Sequence, residues 1–186
     1  MFACDCSANA PALQKADKAF VVPPVDQEDY VDTLLGICDD HQIGLLVPAL
    51  EPELLLLAMN RARFFSIGTV PLVSPPEITA TCCDKLAMSN FLANCGLLVP
   101  HTFDSLAAAR TALSRGKIAF PLVVKQRWGV SSIGLHFPVE DEELELFYRV
   151  TQKQIEHGFL AELSTTDSKR NVLIQERLVG EEYGCG

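Results

Sequence analysis

The sequence predicts an α/β protein in two parts, on three observations. Short apolar runs alternate with amphipathic stretches through the first part of the chain, the pattern of a parallel sheet with crossover helices. The texture changes after Ser74-Pro75-Pro76, where two prolines close the last of these strands. Beyond them a glycine- and serine-containing loop separates two strands, a second kind of unit. A chain of 186 residues, 48% of them hydrophobic, can bury one substantial core or two small ones.

In chain order, a strand stub over Met1 to Cys4 ends in Asp5, Pro11 to Ala16 predicts a short helix, and Ala19 to Val22 a strand. Acids at Asp26 to Asp29 suit a helix start, with Val31, Leu34, Leu35 and Cys38 on one face of a helix that runs to about His41. Gly44 to Val47 reads as a fully buried strand, Pro52 to Arg63 as a helix and Val70 to Val73 as a strand. The start of the chain is expected to lack an earlier strand, loop and helix of such a unit, although a genuine short N-terminal strand fits the pattern too. Past Pro76, helices are expected over Asp84 to Cys95, stopped by Gly96, and over Ser105 to Ser114, ended by Gly116. Phe120 to Lys125 is a strand with a lysine at its end. Leu135 to Phe137 is a strand, Asp141 to His157 a helix, Ser164 to Arg170 a mobile polar loop, and Val172 to Gln175 a strand that runs into Glu176 to Tyr183.

Bulk properties exclude several classes. A formal charge of -9 leaves no basic face for general nucleic-acid binding. The apolar stretches Leu54 to Met59 and Phe120 to Val124 are too short to cross a bilayer, and Met1 to Asp5 lacks a signal peptide's basic start, so a cytoplasmic protein is expected. The seven cysteines form no zinc-type C-x-x-C pairs and read as free thiols. Cys4 and Cys6 flank Asp5, where a metal or redox role is conceivable, but small buried apolar residues are the commoner case. His41, His101, His136 and His157 stand apart, with no second ligand at helical spacing.

Four features fall in an order that suggests chemistry: Lys85 on a helix, Lys125 at a strand end, the loop Trp128 to Gly134 after it, and the acids from Glu176 to Glu182. Each has a plain alternative. Lys85 by itself reads as a solvated helix lysine. The loop can wrap a polyphosphate with glycine amides and the Ser131 and Ser132 hydroxyls, or be a hairpin connection. It is not a Walker loop, because no G-K-[ST] follows and a strand comes next. Glu176 and Glu182 can be a polar edge.

Asp84-Lys85, Phe120 to Gly134 and Val172 to Tyr183 together resemble the ATP-grasp superfamily, and the first half resembles the α/β domain that precedes it in carboxylate-amine ligases and carbamoyl-phosphate-synthase-like members. The resemblance implies a partial Rossmann-like pre-ATP-grasp domain over 1–76, then the N-terminal, nucleotide-binding lobe (α+β) of an ATP-grasp domain over 77–186. It implies ATP as cofactor, with a carboxylate activated as acyl phosphate for attack by an amine. Lys85 and Lys125 look like the nucleotide-facing lysines, and Trp128, Gly129, Ser131, Ser132 and Gly134 like the loop over the phosphates. Gln175, Glu176 and Leu178 resemble the hinge beside adenine, and Glu182 or Glu181 the carboxylate on the ribose. The family's magnesium ligands lie on strands past the position of Gly186, so Mg, metal binding and the acceptor carboxylate and amine sites are expected outside this stretch, and no catalytic residue is named within it. The alternative is a non-catalytic nucleotide-binding or partner-docking module completed by another chain or by self-association. A dinucleotide-binding oxidoreductase ranks last, since no G-x-G-x-x-G precedes Asp5.

Overall fold

Residues 1–129, 132–157, 170–181 and 183 are described by the computed structural model, and the chain divides into two units, Met1–Ala80 and Thr81–Gly186. The first unit begins with β1 (Phe2–Asp5) and β2 (Lys18–Val21), paired in parallel with Phe2 opposite Lys18 and Asp5 opposite Val21. The helix expected over Pro11 to Ala16 does not form. Successive turns replace it, with Leu13 N donating to Ala10 O and Gln14 N to Pro11 O. So short a stretch cannot recover the cost of nucleating a helix before Asp17 N is drawn to Met1 O and pairing begins.

α1 (Tyr30–Asp40) buries Tyr30, Leu34 and Cys38, one face at four-residue spacing, with Val31 and Leu35 packed partly against it. The single helix expected over Pro52 to Arg63 is two, α2 (Glu51–Met59) and α3 (Arg61–Ser66). Asn60 interrupts it: its side-chain amide donates to Leu56 O, the competition with the helix ladder that short amides offer. β3 (Leu45–Leu46) and β4 (Val70–Pro71) form a second parallel pair, and both pairs share one core around Val22, Leu34, Leu57 and Phe64. The strand expected to be fully buried over Gly44 to Val47 is buried on one side only. Leu46 packs on the core, whereas Leu45 is 54% and Val47 59% exposed.

α4 (Pro76–Cys83) leads into the second unit, which contains α5 (Lys85–Asn94), β5 (Thr102–Phe103), α6 (Leu106–Ser114), β6 (Leu122–Gln126), α7 (Asp141–Glu156) and β7 (Val172–Glu176). The sheet order is β5-β7-β6, all antiparallel. Alternation along β6 buries Leu122 and Val124 with Val172 and Ile174 of β7 against Ala109, Leu144 and Ile155 of the helices. Each such side chain contributes about 1.5 to 3 kcal/mol by leaving water.

An incomplete sheet is expected to leave Val172 to Ile174 partly exposed, but all three are fully buried. β7 is the middle strand, so both of its edges are paired, and Val172 and Ile174 are capped by the helices. The strand expected over Leu135 to Phe137 contracts to one bridge between His136 and Val124, and β6 runs one residue past Lys125 to Gln126. Of the expected mobile loop, 164–169 lie outside the described residues. Cys4 is half-buried and packs against the first unit's core, whereas Cys6 is exposed, and no disulfide joins the described cysteines to one another.

Candidate nucleotide-binding site

β6 delivers Lys125 to the sheet face opposite its helix-packed residues. Its ammonium donates to Gln175 Oε1 at 2.7 Å, since Gln175 lies on the same face of the neighbouring strand. Burial first, and the Lys85 ammonium second, hold the Lys125 amine below the usual lysine range. Lys85 opens α5. Its Nζ donates to Gly129 O at 2.6 Å and to Arg127 O at 3.4 Å, so it grips the first residues of the loop.

The position of Lys85 has a cause that the sequence reading did not single out. Asp84 caps α5, accepting from Leu86 N and Ala87 N through Oδ1. The same carboxylate receives a two-pronged bond from Arg127, Nε at 2.8 Å and Nη2 at 2.6 Å. Burial alone would raise the Asp84 carboxyl, but the Arg127 guanidinium and the two amides outweigh it and hold it below the usual carboxylate range. The Arg127 guanidinium also lies over the Trp128 ring at 4.3 Å. A helix start and a loop start are thus joined at one carboxylate. The available signals were an aspartate directly before a helix and an arginine two residues after Lys125.

The loop folds tightly back on β6. A Cβ on Gly129 would meet Gln126 Cβ at 2.8 Å, and one on Gly134 would meet Gln154 Oε1 at 2.9 Å and Gln126 Nε2 at 3.0 Å. Gly134 also has φ +72°, so no side chain fits there without strain. Ser132 takes φ 58°, and Ser131 lies outside the described residues.

The remaining expected residues divide. Gln175 accepts from the Lys125 ammonium through Oε1. Glu176 closes β7, its Oε2 accepting from His101 N at 3.3 Å. Leu178 is 67% exposed beyond the strand, and Glu181 is exposed and accepts from the Tyr183 hydroxyl. Glu182 lies outside the described residues. No group of three His, Cys, Asp or Glu able to hold a metal stands together among the described residues, and none of their helices is long and apolar enough to cross a membrane.

Comparison with known proteins adds to this geometry. The family model of PylC-like N-terminal domains matches residues 1–73. A formate-dependent phosphoribosylglycinamide formyltransferase of Synechococcus is 26% identical over 77% of this chain and 35% of its own length. A biotin carboxylase of Halalkalibacterium halodurans is 29% identical over 76% of this chain and 32% of its own. The crystal structure of a Campylobacter jejuni biotin carboxylase in complex with a β,γ-ATP ligand superposes with TM-score 0.67 at 13% identity, covering 96% of this chain and 39% of that one. The family match over 1–73, the curated relatives and the shared fold all point to the ATP-grasp superfamily, and the chain spans about a third of the length of the curated relatives it matches.

Proposed function

We propose that this chain is the ATP-binding portion of an ATP-grasp ligase, one that activates a carboxylate as acyl phosphate for attack by an amine. The observation that carries the reading is that Lys125, on the sheet face away from the helices, and Lys85, bonded to Gly129 O, both stand at the root of a glycine loop. Like charges held together favour an anion between them, and a polyphosphate matches that charge. Gly129, Ser132 and Gly134, with Ser131, would shape the cradle. Adenine would lie toward Glu176 and Leu178, and the ribose toward Glu181 or Glu182. Magnesium would be held by residues past the position of Gly186 and would supply charge neutralisation at the phosphates. A carbamoyl-phosphate-synthase-like relationship and a cytoplasmic setting belong to the same proposal.

Trp128 is the chain's one tryptophan and adjoins the loop, so its emission reports the site. ATP is expected to change it with an affinity in the micromolar to millimolar decades, and a flat titration to about millimolar ATP would refute the proposal. Affinity is also expected to fall as pH rises through the depressed Lys125 value, before the ordinary lysine range near ~10.4 is reached. An affinity unchanged up to that range would mean Lys125 carries no phosphate.

The first unit motivates a second expected result. Parallel sheets are ordinarily covered on both faces. Here Val21 is 60%, Val47 59% and Leu72 59% exposed, on the side of β2, β3 and β4 away from the shared core. Self-association or a completing subunit would cover them, so sedimentation should show concentration-dependent association that a Val47→Lys, Leu72→Lys double variant reduces. A monomer at every concentration counts against it.

A further inference from the structure

Lys125 does not hold Gln175 alone. Gln175 Nε2 donates to Thr102 Oγ1 at 2.7 Å, and the Thr102 hydroxyl donates to Pro100 O at 3.0 Å. Thr102 pairs directly with Gln175 across β5 and β7, so backbone register places the two side chains on one face. The direction of every bond in this row follows from its ends. Pro100 O can only accept, so the threonine's single hydrogen is spent there and its oxygen must accept from Gln175. That turns the amide's nitrogen toward Thr102 and its oxygen toward Lys125, whose ammonium can only donate. Both ends demand the same amide orientation.

We infer that Thr102 is a positioning residue for nucleotide binding: through Gln175 it fixes where the Lys125 ammonium sits, and so tunes recognition of the phosphates and not of the nucleoside. The inference rests on the nucleotide reading above for its ligand, but its geometry is a property of the unliganded protein. A lysine stem is long and rotamer-rich, and a neutral amide held at its far side restricts the ammonium while leaving its charge available to an anion. A carboxylate in the place of Gln175 would neutralise that charge. Without the Thr102 hydroxyl, Gln175 loses its anchor and samples other rotamers, and the ammonium loses a fixed acceptor.

Two readouts test this, one needing no nucleotide. Trace acetylation with acetic anhydride, read at Lys125 by mass spectrometry across pH, reports the reactivity of that amine in the free protein. Thr102→Val should raise Lys125 acetylation at a given pH roughly fivefold, as expected for loss of about one hydrogen bond to the ammonium, while Thr102→Ser stays at the wild-type level. ATP affinity should fall by a similar roughly fivefold factor in the valine variant and be kept in the serine variant, with adenosine affinity the same in all three. Thr102→Ala replaces the valine variant if circular dichroism shows that valine unfolds the chain. Unchanged Lys125 reactivity without the hydroxyl would overturn the proposal. So would equal shifts in the serine and valine variants, because packing alone would then account for the effect. If reactivity shifts as expected but wild-type protein does not bind ATP, the relay stands and the nucleotide reading fails.

Discussion

Replacing Asp84 with alanine is expected to destabilise the second unit by about 3 kcal/mol, more than any other single substitution in the site. One carboxylate there performs two tasks. It satisfies the amides of Leu86 and Ala87 at the start of α5, and it pairs with Arg127 at the start of the loop. The side chains are only 12% and 15% exposed, so solvent screens the pair weakly. Loss of a cap alone costs about 1 kcal/mol, and the larger figure reflects a mostly buried guanidinium deprived of its carboxylate. Urea unfolding followed by Trp128 emission reports this unit directly. The folded-state carboxyl is depressed, so its contribution is complete above the unfolded aspartate value of about 3.9 and disappears as pH falls through the lower folded value. The gap between wild type and variant should therefore close in acid. A variant within about 0.5 kcal/mol of wild type at neutral pH would show that the carboxylate holds neither element.

What the sequence disclosed and what it hid follow from the range of the forces involved. α1 and α7 were legible because a helix repeats its apolar face within its own segment, and Tyr30, Leu34 and Cys38 display that repeat. Lys125 and the glycine loop were legible because a charge after an apolar strand, and glycines before the next, are local signals. The burial of Val172 to Ile174 was not legible, because it depends on β7 lying between β5 and β6, strands that come earlier in the chain. Thr102 gave no signal at all: a threonine in a two-residue strand acquires its part only from register with Gln175, 73 residues away. Asn60 shows the opposite failure. The local cue was present, but the apolar run on either side of it favoured one continuous helix.

Lys125→Ala should lower ATP affinity roughly tenfold or more while leaving adenosine binding nearly unchanged, because a charge-assisted contact contributes about 1.5 to 3 kcal/mol and adenosine carries no phosphate to receive it. Alanine also vacates the Gln175 amide oxygen, but that atom can turn to water, so the folded unit should lose little. Two further properties sharpen the expectation. The amine is half-buried, which strengthens its attraction for an anion that excludes water, and the Lys85 ammonium is near enough to act on it electrostatically. ADP should therefore fall between ATP and adenosine in its sensitivity. Glu182→Ala supplies the contrasting pattern: a carboxylate on the ribose would weaken ATP and adenosine alike, since both carry that sugar. Titrating the three ligands into wild type and the two variants, with Trp128 emission as the signal, separates the phosphate end of the site from the ribose end. If Lys125→Ala weakens adenosine as much as ATP, the lysine supports the fold of the site and does not hold phosphate, and the anion must be sought elsewhere around the loop.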